Sequence, residues 1–270
     1  MKKFSIMFFL VLVVALVACK QEEPGNGGAG AGDQPQADGS GGKELTPEQI
    51  AAAKKEKDAA EAEKLAREKA LTALKDELTK YKKTMADAKK AFDAKTGKNE
   101  VTVPSGLTGV TAADKEKIQS SLGYNDDTHK ELNDTITALN LTSGGKDAEK
   151  KTVSDVLKML VDLDDATKKI LDEHLKAENL AKIENDKTKI EKADKELKAF
   201  IASRDAFIAS AQKTIKAAEA AKATAANAKR ELDKIADKTK NTAKADETGY
   251  YHVTVKAIEK NATALEDLVK

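Results

Sequence analysis

Apolar residues recur at alternating spacings of three and four over most of the chain, the signature of helices that bury one stripe. The cleanest run is Leu71, Leu74, Leu78, Tyr81, Met85, Ala88 and Phe92, an a/d seam of the kind that packs along one partner. Its helix has a legible start: Thr46 as cap, Pro47 at the first helical position and Gln49 as the returning residue of a capping box. Gly97 predicts its stop. Upstream of the seam, Ala51–Ala62 is alanine and charge, so the helix begins with a thinner interface.

The stretch from Gly97 to Val110 breaks the pattern, and Val101-Thr102-Val103-Pro104 within it reads as an extended loop rather than a strand. Thr111 and Asp114 cap a short helix that stops at Gly123. A second begins near Asp126 or Asp127, buries Leu132, Ile136 and Leu139, and ends before Ser143-Gly144-Gly145. Residues 146–248 hold neither Gly nor Pro. Val153, Leu157 and Leu160, then Ile170, Leu171 and Leu175, mark one or two helices, with Asp162–Asp165 as cap and break. Beyond Asn185-Asp186 a long seam runs through Ile190, Ala193, Leu197, Ile201, Arg204, Ile208, Ala211, Ile215 and Ala218, and on through Ala221, Ala225, Ala228, Leu232 and Ile235. Arg204 alone interrupts it, and its long stem is expected to reach solvent. Gly249 predicts a turn, and Tyr251, Val255, Ile258, Ala262, Leu265 and Val269 line a last helix. The expected fold class is all-α, an elongated antiparallel helical bundle with coiled-coil-like long helices. A parallel coiled-coil homodimer is the rival arrangement, and the glycine-bearing breaks at 97–110 and 143–145 favour folding back within one chain.

The N-terminus is of another kind. Lys2 and Lys3 precede an apolar run from Phe4 to Val17, which closes on Leu16-Val17-Ala18-Cys19. That ending looks like the lipobox of bacterial lipoproteins, where small residues admit the signal peptidase and the thiol accepts a diacylglycerol. A retained span needs about 20 apolar residues, more than Phe4–Ala18 supplies. An ordinary secretory signal would leave Cys19, the only cysteine, as a free thiol at the new N-terminus. Lipidation of Cys19 leaves no disulfide to the monomer, so the fold must stand on its apolar core. Eight of the 15 glycines follow, with Pro24 and Pro35, in a segment expected to stay disordered. About 26 such residues reach roughly 25–30 Å. The predicted organisation is a signal peptide over 1–18, a lipidated Cys and tether over 19–45, and a helical bundle over 46–270.

Composition narrows the function. Without Lys2 and Lys3 the chain carries 45 basic and 46 acidic residues, and over the full chain lysine outnumbers arginine 44 to 3. A near-neutral, arginine-poor surface argues against nucleic acid as a partner. No nucleophile elbow, zinc-protease helix, phosphate-cradling glycine loop or Cys/His cluster is present, so no enzyme, metal or cofactor is expected. His129, His174 and His252 fall on three separate helices; His174 with Glu178 has helical metal-site spacing, but a solvated polar face explains it better. Asp162, Asp164 and Asp165 lack the glycine and glutamate of a calcium loop and read as helix-capping acids.

Three features could carry binding. Lys270 presents an ammonium and a terminal carboxylate together, the pair that lysine-binding kringle pockets such as those of plasminogen recognise. Tyr250 is the freer tyrosine of an aromatic cluster, Tyr251 belonging to the apolar seam. The 98–110 loop and the turn at Tyr124–Asp127 form the irregular surface of a helical scaffold. Taken whole, the short basic signal, the Leu-Val-Ala-Cys box at 16–19, the Gly/Asp/Ser tether and the Lys/Ala/Asp/Leu body resemble the outer-surface lipoproteins of Borrelia-type spirochaetes. The resemblance implies a helical protein lipid-anchored in the outer membrane and exposed at the cell surface. It also implies a host protein as partner: a complement regulator, a matrix protein or plasminogen. A structural or assembly-related periplasmic coiled-coil lipoprotein is the alternative, and homodimerisation is compatible with either.

Overall fold

The computed structural model describes residues 45–236 and 251–270, with side chains at all of these but 251–254. The leader, Cys19, the tether up to residue 44, the Gly249 turn and Tyr250 lie outside the described residues, as does the Tyr251 side chain. Eight α-helices account for most of what is described, and the protein is all-α. They are α1 (Pro47–Asp93), α2 (Lys115–Ser121), α3 (Asp126–Leu139), α4 (Asp147–Lys168), α5 (Ala177–Ile183), α6 (Lys187–Ala220), α7 (Ala225–Ala236) and α8 (Tyr251–Val269). Among the described residues none is long and apolar enough to cross a membrane.

Two compact units divide the chain, one ending at Leu65 and the other running from Ala66 to Lys270. In the first, the capping box forms as the sequence predicts. The Thr46 amide donates to Gln49 Oε1 at 3.0 Å, and the Gln49 amide donates to Thr46 Oγ1 at 3.3 Å. Ile50 and Leu65 are exposed, so this stretch owes its helicity to alanine, lysine and glutamate propensity rather than to burial.

In the second unit the seam of α1 is real: Leu74, Leu78, Tyr81 and Phe92 are buried, and Leu71 and Met85 pack against the same core. The short helices start where their caps predict. The Thr111 amide donates to Asp114 Oδ2 at 2.9 Å, and Asn125 caps α3 by accepting from the Thr128 amide at 2.9 Å. Gly123 sits at φ +69°, the left-handed conformation that lets the chain leave α2 and turn into Tyr124. The core gathers around α6, which packs on α8, α7 and α3, while α4 packs on α2 and α7.

Several expectations need correction. Asp162–Asp165 neither caps nor breaks anything: α4 runs through it to Lys168, and the helix loosens only afterwards, in a π turn over Lys169–His174. The three acids are paired instead, Asp162 with Lys158 at 2.7 Å, Asp165 with Lys117 at 2.9 Å and the buried Asp164 with Lys168 at 2.6 Å. His174 is buried against α8 rather than solvated. The long seam after Asp186 is not one helix: it breaks at 221–224, where the Asn227 and Ala228 amides turn to the Thr224 carbonyl. Neither glycine nor proline marks that break. Alanine side chains there offer little to hold a straight continuation, and the packing of α7 on α4 decides its course.

The α6 seam holds at Ile190, Ala193, Leu197, Ala211, Ile215 and Ala218, but at two positions the preceding residue is the one turned inward. Phe200 and Phe207 are fully buried, whereas Ile201 and Ile208 are half-buried at its side. Arg204 lies on the buried face itself, 4% exposed.

Replacing Phe200 by Ala should cost about 3–5 kcal/mol in urea denaturation, the range for emptying a fully buried aromatic site. Ile201→Ala, at the half-buried edge, should cost roughly 1 kcal/mol. Burial also lowers the pKa of His129 and His174 below the ordinary 6.5, since neither imidazolium is solvated. Their neutral forms therefore support the fold fully above that value, and the support is lost as pH falls through the depressed values. Thermal melts at about pH 7.5 and about pH 5.5 should show lower stability at the acid end, and His129→Gln should narrow the difference.

Candidate functional site: a pinned loop and an arginine-floored groove

The irregular segment 94–110 is tied down by side chains from the helices beneath it. Asp126, first residue of α3, accepts from the Asn99 amide at 2.6 Å, from Asn99 Nδ2 at 3.1 Å and from Lys95 Nζ at 2.7 Å. These contacts, with Lys95 foremost, hold its carboxyl down to about 2. Gln119 Oε1 accepts from the Val101 amide at 3.0 Å, and Asn133 Oδ1 accepts from the Thr102 amide at 2.8 Å. Asn133 Nδ2 donates in return to the Glu100 carbonyl at 2.8 Å. Farther on, Ser154 Oγ accepts from the Thr108 amide at 3.1 Å. His129 Nδ1 stands 3.1 Å from the Asn99 carbonyl, which places the proton on Nδ1, and its ring meets Phe92 edge-on at 4.9 Å. Val101 and Val110 are buried at the two ends of the exposed stretch. The amides that a strand partner would have satisfied are met by Asp, Gln, Asn and Ser side chains instead. What remains outward is a held surface containing Thr102, Ser105, Gly106 and Thr108.

Beside it, a groove of about 520 Å³ lies between residues 77–88 of α1, the Ser120–Tyr124 turn and residues 201–212 of α6. Met85, Ala88, Ile201, Ile208 and Ala209 make its apolar walls, and Arg204 lies in its floor. The guanidinium donates from Nε to Thr167 Oγ1 at 3.1 Å, from Nη1 to Tyr81 Oη at 3.0 Å and from Nη2 to the Ser120 carbonyl at 3.1 Å. Burial pushes the Tyr81 hydroxyl up, against the attraction of Arg204, and the Asp205 carboxylate bears on the same hydroxyl. Gln212 Nε2 closes one end by donating to the Leu122 carbonyl at 2.9 Å. At Gly123 a Cβ would stand 3.5 Å from Ile208 Cγ2, so the turn sits close on α6.

The residues singled out from sequence are dispersed. Tyr124 lines the groove at φ +53°. Its hydroxyl donates to Glu116 Oε1 at 2.8 Å, its ring lies 6.0 Å from Phe92, and Lys89 Nζ sits 5.6 Å above it. It is half-buried, and burial raises its hydroxyl's pKa. Lys270 lies elsewhere, its ammonium paired with Glu266 at 3.1 Å and Asp267 at 3.5 Å on its own helix. Cys19 and Tyr250 lie outside the described residues. Arg204, expected to reach solvent, is instead the buried polar centre of the site. The signal for this was present: Tyr81 is a seam residue whose hydroxyl needs a partner once buried, and Arg204 interrupts the facing seam. Among the described residues no three His, Cys, Asp or Glu side chains gather as a metal site.

Asp126→Ala should release the loop, raising the exchange rate of the Asn99 amide about tenfold or more, since a hydrogen bond to a charged group is lost. Because the Asp126 pKa is depressed in the fold, wild-type protection should persist above the ordinary value of 3.8 and be lost toward about 2. Hydrogen exchange read by NMR checks both.

No family model, no curated protein and no solved structure matches this chain.

Proposed function

We propose that the chain is a non-enzymatic lipoprotein, held at the outer membrane through Cys19 and a Gly-rich tether, that presents its helical body to a host protein. The partner classes are a complement regulator, a matrix protein and plasminogen. The observation that carries the reading is the pinned 94–110 loop: an exposed, irregular surface whose backbone is ordered in advance by Asp126, Gln119, Asn133 and Ser154. A loop ordered before contact loses less entropy on binding, which is what a recognition surface needs and a spacer does not. The lipobox-like Leu16–Cys19 and the glycines that follow supply reach and attachment.

One observation favours the second reading, a structural or assembly-related periplasmic coiled-coil lipoprotein with homodimerisation. The segment 47–65 is helical and leaves Ile50 and Leu65 exposed, as a strand awaiting a coiled-coil partner would. Protease treatment of intact cells separates the two. Surface display predicts digestion of the chain without breaking the outer membrane, and protection until the membrane is broken would support the periplasmic reading. A serum pull-down with the full chain should then recover a host protein whose retention falls with Asp126→Ala. Retention of plasminogen unaffected by deletion of Lys270 would remove that residue from the surface.

A further inference from the structure

Charge is missing from one part of a chain that is 34% charged. From Val101 to Ala113 no residue is charged, nor is any from Thr135 to Gly145, and no other charge-free run between residues 45 and 270 is as long. Folding joins the two runs. Asn133 on α3 holds the loop by accepting from the Thr102 amide at 2.8 Å. Thr137 follows one turn on and Asn140, the left-handed cap of α3, about two turns on, along the same face of the helix. Thr137 Oγ1 donates to the Asn133 carbonyl at 2.8 Å. Past the cap, Asn140 Nδ2 donates to Ser143 Oγ at 2.7 Å, and Thr142 Oγ1 donates to Asn140 Oδ1 at 3.2 Å. Thr102, Thr137, Asn140 and Thr142 are exposed, so a neutral strip runs from the loop to the turn. By the helix rise its part from Asn133 to Asn140 is about 10 Å long.

Charges that border the strip in sequence are paired with one another: Lys115 with Glu100 at 2.6 Å, Lys130 with Asp134 at 2.7 Å and Lys146 with Glu149 at 3.3 Å. A centre poor in charge inside a charged rim is the anatomy of a protein–protein contact, because lysines and carboxylates are costly to desolvate. Half-buried Val103, Pro104 and Leu107 supply apolar area at the loop end. A polyanion would need cations, and neither run holds one. Nor does either hold an aromatic side chain on which a sugar ring could stack. We propose that the strip formed by residues 102–109 and 137–145 seats an uncharged face of a partner protein, through apolar contact and neutral hydrogen bonds. The proposal rests on the host-facing reading, and it adds the turn at 140–145 and the chemistry of the contact. Neutral contacts are not screened, so salt leaves such a complex intact.

The full chain is immobilised, and serum is passed over it in about 0.15 M and in about 1 M NaCl. The amount of retained serum protein should change by less than about twofold between the two. Thr142→Lys and Ser105→Lys each place an unpaired charge on the strip and should lower retention about tenfold or more. Lys83→Ala, at an exposed ion pair on α1, should leave it unchanged. Both strip positions are exposed, and a thermal melt matching wild type shows that each variant folds. Where a variant does not fold, the salt comparison on the wild-type chain decides. Retention lost in the higher salt, retention unmoved by both lysine variants, or elution by free lysine would overturn the proposal. Loss of retention on deglycosylating the serum would overturn it too, in favour of a glycan. Retention that falls with Asp126→Ala but not with Thr142→Lys keeps the host-facing reading and sinks this one. A wild-type chain that retains no serum protein removes both.

Discussion

The guanidinium of Arg204 lies where α1, α2, α4 and α6 converge, and its three donated hydrogen bonds specify how those helices stand to one another. Each goes to a different element: Tyr81 on α1, Ser120 on α2 and Thr167 on α4. The planar fork of arginine restricts the directions from which oxygens can approach, so the contact sets register as well as proximity. Its net energy is modest, because desolvating the charge offsets much of the gain. What it supplies is uniqueness, in a region where most of the remaining contacts are non-directional apolar packing.

The same arrangement explains why a groove exists. A leucine at position 204 would let α1 and α6 close on an apolar seam. A long side chain whose polar end must reach three oxygens holds the helices apart, and the half-buried Ile201, Ile208 and Met85 become walls. Ser121 reinforces one side by donating to the Leu160 carbonyl at 2.6 Å, which ties α2 to α4. Groove and loop are thus two consequences of one habit of this fold, the satisfaction of backbone carbonyls and amides by side chains from neighbouring helices.

The pinned loop shows the habit at its clearest. Asp126 serves twice: it opens α3, where a negative charge is favoured by the helix N-terminus, and it holds Asn99 and Lys95 across a gap of some thirty residues in sequence. Asn133 and Gln119, which read from sequence as ordinary polar positions on short helices, hold the backbone of Val101 and Thr102. An extended segment that lacks a strand partner survives near the core because these groups replace the ladder.

Much of the local structure was legible in the residues alone. The Thr46 and Thr111 caps, the α1 seam, the turn at Gly123 and the all-α class follow from short-range chemistry: capping atoms lie within a few residues of the amides they satisfy, and a 3.6-residue period shows where a helix must bury something. The period does not decide between adjacent residues. Leu197-Ile201-Arg204-Ile208 and Leu197-Phe200-Arg204-Phe207 both alternate threes and fours, and the packing of α6 on α8, α7 and α3 put the phenylalanines inward. Nor does it show whether a charged or polar side chain on a seam turns out to water or stays in. Arg204, His174 and Asp164 each depended on this, because the cost of enclosing a polar group depends on which oxygens and ammonium groups distant segments bring to it. The sequence by itself determined the all-α class, the capped helix starts and the broad stripe that each long helix buries. Only the tertiary structure decided that Arg204 would be enclosed among Tyr81, Ser120 and Thr167, since those acceptors lie 37 to 123 residues away and meet it only when four helices pack.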